Sequence, residues 1–317
     1  MGHDAGSRLP VLQMRLLGRT GLKLAEIGFG AWAIGGGSTG QSTPSDEASS
    51  LDALQRAFEL GVNFVDTADS YGNGRSEELV GQAVKVSPRR VHIATKVGRI
   101  NRDAQDFSAA HIKSACDRSL ERLGVTIIDL YQLHNPPREV IESNEVWDAL
   151  RELKDKTKIA HYGISVGNPE EGVLAIQKGD VDAVQVVYNL LDRDAADVLF
   201  GVAESKSVGI IARMPLATGL LTGQFSSGHR FADDDRRRKS YSAEKLDAAV
   251  ERAEKFRFLS HGTGRTMAQA AIRFCLAHPA VSVVVPGIKT PYQAIEDIEA
   301  AGAPELTPAE LQRIREI

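Results

Sequence analysis

The stretch VNFVDTADSYGNGRSEELVGQAVKVSPRRVHIATK, from Val62 to Lys96, holds one complete unit of the pattern that decides the fold. Its two ends, Val62–Asp66 and Val91–Lys96, are short β-branched runs without clear polar alternation. Such runs belong to parallel strands buried on both faces. Between them Glu77–Val84 has helical period, so the stretch reads as strand, helix, strand. Working outward, the same kind of apolar run recurs at Ile27–Ala31, Ile128–Leu133, His161–Ser165, Ala183–Val187, Gly209–Arg213 and Ser282–Val285, which makes eight in all.

Helical segments separate these runs. Asp46–Leu60 sets Ala48, Leu51, Leu54, Ala57 and Phe58 on one face and is followed by Gly61. Ser108–Leu123 opens on an N-cap serine and stops at Gly124. Glu145–Lys154, Pro169–Gln177, Asp194–Lys206, Met267–Ala277 and Pro291–Ala300 complete the alternation. No composition shift marks a linker. A closed (β/α)8 TIM barrel is the economical reading, ahead of an open doubly wound sheet. The first strand is followed by no G-x-G-x-x-G, the main signal for the open sheet.

Three pieces stand outside the repeat. Met14–Leu24 reads as a β-hairpin around Arg19-Thr20-Gly21 that closes the barrel floor. Residues 1–13 read as a disordered N-terminal extension, leaving 14–317 as one barrel domain. Gln224–Ser242, with the run DDDRRRK at its centre, reads as a solvated loop or, more sharply, as a mobile flap over the barrel mouth.

Bulk properties agree with a soluble enzyme. The 317 residues are 42% hydrophobic and 25% charged, with a formal net charge of −4. That balance argues against nucleic acid or an anionic membrane as partner. No apolar run approaches the ~20 residues of a spanning helix, and no signal peptide is visible. Cys116 and Cys275 cannot build a disulfide framework or a zinc site alone, so a reducing, cytoplasmic setting is expected.

In a barrel the chemistry lies where strands end at the C-terminal face. Those ends carry Asp66, then Tyr71 in the following loop, Lys96, His134, Ser165, Gln185 and Arg213. Singly, each has a plainer explanation as a cap, a solvated charge or a satisfied core group. Together, the ends of neighbouring strands converge on one mouth. A phenol is a poor acid near neutrality, with an ordinary pKa near ~10. A lysine ammonium ~4 Å away stabilises its phenolate by roughly 4 kcal/mol at an effective dielectric of ~20. Aspartate would anchor that lysine, and histidine would orient a carbonyl oxygen. The set suits protonation of an oxygen that becomes an alkoxide, and it holds no electron source, so reduction would need a cofactor. No nucleophile elbow, H-E-x-x-H, phosphate-binding P-loop or metal-ligand spacing is present.

With these motifs in view the chain resembles the aldo-keto reductases. The likeness runs through RLLGRTGLKLAEIGFGAWAIGG, VNFVDTADSYGNGRSEELVG, ATKVG, DLYQLHNP, GIS, QVVYNLL, PLATGLLTG and VVVPGIKT, in order. It implies a catalytic tetrad of Asp66, Tyr71, Lys96 and His134. Tyr71 would be the proton donor, Lys96 and Asp66 would tune it, and His134 would orient the carbonyl, with no metal. A substrate pocket walled by Trp32, Tyr71 and His134 is implied as well. For the cofactor the resemblance implies Gly30, Ala31, Trp32, Asp66, Ser165 and Gln185 near the nicotinamide. Arg213 stands where the family often stacks a tyrosine, in the manner of some bacterial members. Pro215, Leu216, Gly219 and Leu221 would follow the pyrophosphate. Gly287, Ile288, Lys289, Thr290, Gln293, Glu296 and Asp297 would meet the adenosine phosphate.

Three departures from the family pattern stand out: Val166 replaces an asparagine, Gln293 a phosphate-facing arginine, and Asp297 an asparagine. Because the family usually prefers NADP and Lys289-Thr290 can still bind phosphate, the resemblance implies an NADP(H)-dependent reductase of aldehydes or ketones in the alcohol dehydrogenase class (EC 1.1.1.-), with NAD possible. The same residues would serve a dehydrogenase of sugars or polyols. A regulatory nucleotide-binding subunit is the alternative outside enzymology, and a metal-dependent barrel hydrolase is more distant.

Overall fold

The computed structural model describes residues 11–35, 44–100, 104–226, 228–231, 236–239 and 241–317. A short antiparallel hairpin opens the chain, with β1 (Met14–Leu16) and β2 (Lys23–Ala25) paired Met14 to Ala25. Then come β3 (Phe29–Gly30), α1 (Pro44–Glu59), β4 (Phe64–Asp66), α2 (Arg75–Lys85), β5 (His92–Val97), α3 (Ala109–Leu123) and β6 (Ile128–His134). After two helices, α4 (Arg138–Glu142) and α5 (Asn144–Asp155), the chain continues through β7 (Ile159–Ser165), α6 (Pro169–Gly179) and β8 (Ala183–Val187). The remainder is α7 (Gly201–Ser205), β9 (Gly209–Arg213), α8 (Ala243–Glu254), α9 (Met267–Leu276), β10 (Val281–Val285), α10 (Pro291–Glu299) and α11 (Pro308–Glu316).

Eight strands, β3 to β10, lie side by side in sequence order and all parallel. The ring closes through parallel bridges Ile27–Val284 and Gly30–Gly287, giving the (β/α)8 barrel. β3 is shorter than the expected run Ile27–Ala31, but Ile27 ahead of it still bridges to β10, and Gly30 to the segment just after β10. Helix ends follow the local sequence. The Ser108 hydroxyl accepts the His111 N–H, and Gly124 ends α3 in the left-handed region. Reciprocal capping boxes start α6, α9, α10 and α11. The expected helix Asp194–Lys206 instead begins as a widened turn over Ala196–Phe200 before α7. That turn buries two sequence neighbours, Leu199 and Phe200, together. Helices α4, α8 and α11 were not among the sequence expectations.

Strand parity sorts the barrel interior into layers. Phe64, Ala94, Leu130, Ala183, Ile211 and Val283 form the lower, apolar layer together with Leu17 and Leu24 of the hairpin, and Val285, one step above Val283, joins the same cluster. Two residues further along five of these strands stand Asp66, Lys96, Gln132, Gln185 and Arg213. The hairpin does close the floor: Leu17 and Leu24 are fully buried in that cluster. Arg19 locks it in place, donating to the Asp180 carboxylate (2.7 Å), the Asp182 carboxylate (3.1 Å) and the Val181 carbonyl (3.0 Å). Among the described residues no helix is long and apolar enough to cross a membrane. Residues 1–10 of the expected extension lie outside the described residues.

Candidate active site

The apolar floor stops one layer below the mouth, and a buried polar network begins there. Lys96, wholly buried at the end of β5, has three N–H bonds and three acceptors around them. It donates to Asp66 Oδ2 (2.6 Å), the Thr67 carbonyl (2.9 Å) and Tyr71 Oη (3.3 Å). Asp66 is equally saturated. Its other oxygen accepts from Gln132 Nε2 (3.1 Å) and Gln185 Nε2 (2.7 Å). A buried ion pair is tolerated when its remaining polar atoms are satisfied in this way. Burial works against the Lys96 ammonium, but Asp66 and Tyr71 outweigh it and hold the pKa above the ordinary lysine value. Lys96 is therefore a permanent cation beside the phenol.

Tyr71 reaches this point through a loop laid along β5. Thr67 N–H donates to the Ala94 carbonyl (2.8 Å), and Asp69 N–H to the Lys96 carbonyl (3.2 Å). Gly72 follows at φ +59°, where a Cβ would sit 1.8 Å from the Gly35 carbonyl oxygen, so only glycine fits. Ser76 ties the far side of the loop to the end of β3 through the Ala31 carbonyl (2.8 Å) and Thr67 (2.8 Å).

His134, at the end of β6, packs edge-on against Tyr71 with ring centroids 5.7 Å apart. Burial and the charges of Lys96, Arg99 and Arg213 push its pKa well below the ordinary value. It is a neutral imidazole near pH 7, able to donate one hydrogen bond but not to act as a cation. Ser70 Oγ lies 3.5 Å from its Nδ1.

The structure thus brings the four sequence-predicted catalytic residues into one cluster. Sequence reasoning missed Gln132, although strand parity places it inside, two residues before His134. It also missed Asp69, whose carboxyl Oδ1 is buried without a partner. Burial and then Glu77 push the Asp69 pKa up to about 7.

The expected cofactor residues lie in and just beyond the ends of β3, β7, β8, β9 and β10. Gly30 and Ala31 are buried at the end of β3, where Gly30 N–H donates to the Pro286 carbonyl (2.9 Å), while Trp32 is 45% exposed. Ser165 Oγ donates to Asn135 Oδ1 (3.0 Å). Arg213 donates to the Val166 carbonyl (3.0 Å), and its Nε is buried with no protein partner. The turn after β9 holds Met214, Ala217, Thr218 and Gly219 at positive φ. Such strain gathers at ligand clamps, and Pro215, Leu216, Gly219 and Leu221 belong to this turn.

At the other end, Gly287 and Lys289 are exposed and Thr290 caps α10. The Gln293 carbonyl oxygen is spent on that cap, accepting from Lys289 N–H (2.8 Å) and Thr290 N–H (3.3 Å). Lys289 Nζ lies 3.4 Å from Asp46 Oδ1 at the start of α1. Asp297 is buried in α10; burial and then Glu296 push its pKa up to about 8. An orphaned guanidinium nitrogen, a strained turn and a cation beyond it suit a long polar anion such as a dinucleotide.

Of Gln224–Ser242, residues 227, 232–235 and 240 lie outside the described residues. The described part is largely exposed, with Phe231 buried and Arg237 pinned. The Arg237 guanidinium lies 5.3 Å from the Phe225 ring and 4.4 Å from that of Phe231, and it donates to the Thr218 carbonyl (3.2 Å).

Residues 26–317 match the model of the aldo/keto reductase family. The chain is 32% identical over 311 residues to the uncharacterized oxidoreductase YqkF of Bacillus subtilis, covering 96% of both chains. It is similar in structure to the holo form of aldo-keto reductase AKR11C1 from Bacillus halodurans, with a TM-score of 0.80, 30% identity and 96% of each chain covered. The glycerol dehydrogenase AKR11B4 from Gluconobacter oxydans superposes with a TM-score of 0.83 at 26% identity, covering 96% of this chain and 94% of its own. The chain therefore belongs to the aldo/keto reductase family, oxidoreductases that act on carbonyls or alcohols with a nicotinamide cofactor.

Proposed function

We propose that this protein reduces an aldehyde or ketone to its alcohol with NADPH, and that Tyr71 delivers the proton. The observation that carries this reading is the saturation of Lys96. Because all three of its N–H bonds are used, the Tyr71 oxygen accepts one of them. The phenol's own proton is then left to point into the mouth.

A bound nicotinamide would supply the hydride to the carbonyl carbon. Gly30, Ala31, Trp32, Ser165, Gln185 and Arg213 would hold its ring. Pro215, Leu216, Gly219 and Leu221 would take the pyrophosphate, and Gly287, Lys289, Thr290, Gln293 and Asp297 the adenosine end. The substrate oxygen sits between Tyr71 Oη and the neutral imidazole of His134, which donates a hydrogen bond and orients it. As the carbonyl becomes an alkoxide, Tyr71 gives up its proton and the phenolate left behind is held by the Lys96 ammonium. In the reverse direction the same phenolate takes the proton from an alcohol.

Tyr71→Phe tests the assignment. It keeps the ring against His134 and removes the proton, so kcat should fall by on the order of 10²–10⁴ while dinucleotide binding persists. Full residual turnover would overturn the role of Tyr71. Binding without turnover in the wild-type protein, against a panel of small aldehydes, would favour a regulatory nucleotide-binding subunit.

A second reading, use of NADH, is favoured by one contact. The Lys289 ammonium has the Asp46 carboxylate 3.4 Å away, and Gln293 is occupied by its cap. If Lys289 serves a phosphate, Lys289→Ala weakens NADPH more than NADH.

A further inference from the structure

Helix α1 packs beside α10, and Lys289, just ahead of α10, meets the first turn of α1. The first turn of α1 carries two acids, Asp46 and Glu47. Their partners differ. Glu47 turns toward α2, where both of its oxygens accept from Arg75 at 2.8 Å. Asp46 turns toward the loop after β10, with Oδ1 3.4 Å from Lys289 Nζ. Both members are partly exposed, 49% for the lysine and 39% for the aspartate, so a solute at the rim of the mouth can reach them.

Of the other side chains offered to that end, Thr290 and the Gln293 carbonyl oxygen are committed to the cap of α10, and Asp297 is buried. Discrimination at this rim then rests on Asp46 and Lys289 as a pair. A dianionic 2′-phosphate must compete with the carboxylate for the ammonium. A ribose 2′-hydroxyl, by contrast, donates to a carboxylate without penalty.

We propose that Asp46 is a cofactor-specificity residue: through its contact with Lys289 it weakens the grip on a ribose 2′-phosphate and lets the protein take NADH beside NADPH. This rests on the nicotinamide reading given above.

The test is a set of titrations of the full chain with NADPH and NADH, followed by protein fluorescence. Asp46→Asn keeps the size and removes the charge. It should tighten NADPH about fivefold, the range of one exposed charge contact, and leave NADH unchanged. Asp46→Asn combined with Lys289→Met should lose that gain, because the freed ammonium is its source. Glu47→Gln, which breaks the Arg75 pair instead, should leave the ratio of the two affinities as in the wild type. The difference between wild type and Asp46→Asn should shrink as salt rises.

An Asp46→Asn protein whose NADPH-to-NADH ratio equals that of the wild type overturns the role of Asp46 and leaves the nicotinamide reading standing. A gain that survives loss of Lys289 overturns it too. A wild-type chain that binds neither dinucleotide sinks both readings.

Discussion

Among the described residues, two carboxyl groups, those of Asp69 and Asp297, keep their protons far above the usual aspartate range, and neither belongs to the proton-transfer pair. Burial raises Asp69 to about 7 and Asp297 to about 8. An unfolded aspartate releases its proton near ~3.9. Between those limits the folded state binds more protons than the unfolded one. The contribution of these two groups is therefore complete below about pH 4 and is lost as pH rises through 7 and 8. Asp69→Asn and Asp297→Asn should each flatten the decline in stability across that window. At pH 8.5 each should be more stable than the wild type by roughly 4 kcal/mol, read from denaturant midpoints across pH. Variants that follow the wild-type pH curve would show that these carboxyls ionise without cost. The Lys96 ammonium behaves differently, because each of its N–H bonds already has an acceptor and its pKa is held above the ordinary lysine value. Its charge is a fixed part of the site.

At the scale of elements, the hairpin and the loop after β4 do unlike jobs with similar means. The hairpin uses β1 and β2 to drive Leu17 and Leu24 into the barrel floor, and Arg19 fastens its turn to the segment before β8. Leu17→Ala would leave a cavity among Phe64, Leu130 and Ile211, costing about 2–5 kcal/mol. The catalytic layer is built one step above on separate strands, so kcat should stay within about twofold of wild type at temperatures where the variant is folded. A large fall in kcat without a fall in the melting midpoint would mean that the floor controls the mouth. The loop after β4 spends its order on position. Its N–H groups pair with β5, and Gly72 lets it turn beneath Gly35, so Tyr71 arrives over Lys96. Legibility in sequence differed accordingly. The hairpin was visible in its Arg19-Thr20-Gly21 turn, and the β-branched runs announced the strands. The widened turn at Ala196–Phe200 was not visible, because burying both Leu199 and Phe200 depends on what packs there.

For the whole molecule, the thinnest place is the seam where the first and last barrel strands meet. β3 has two residues, and two isolated bridges complete the ring. At Gly30 a Cβ would sit 2.5 Å from the Pro286 carbonyl oxygen. Gly30→Val should open the seam and destabilise the barrel by about 3 kcal/mol, the upper range of overpacking. Dinucleotide binding should weaken with it, since the same backbone borders the mouth. A variant with an unchanged melting midpoint would show that the seam yields locally. The alternation of runs and helices, with two-residue parity along each strand, is written into the chain one element at a time. It determined the barrel, the floor hairpin and the convergence of Asp66, Tyr71, Lys96 and His134, because period and parity need no partner to be read. Only the tertiary structure decided which atoms are left over. The saturation of Lys96, the neutrality of His134, the capping duty of Gln293 and the approach of Asp46 to Lys289 each depend on groups remote in sequence. Hydrogen-bond capacity and desolvation are set by whatever the fold brings within a few ångströms, and that neighbourhood has no local signature.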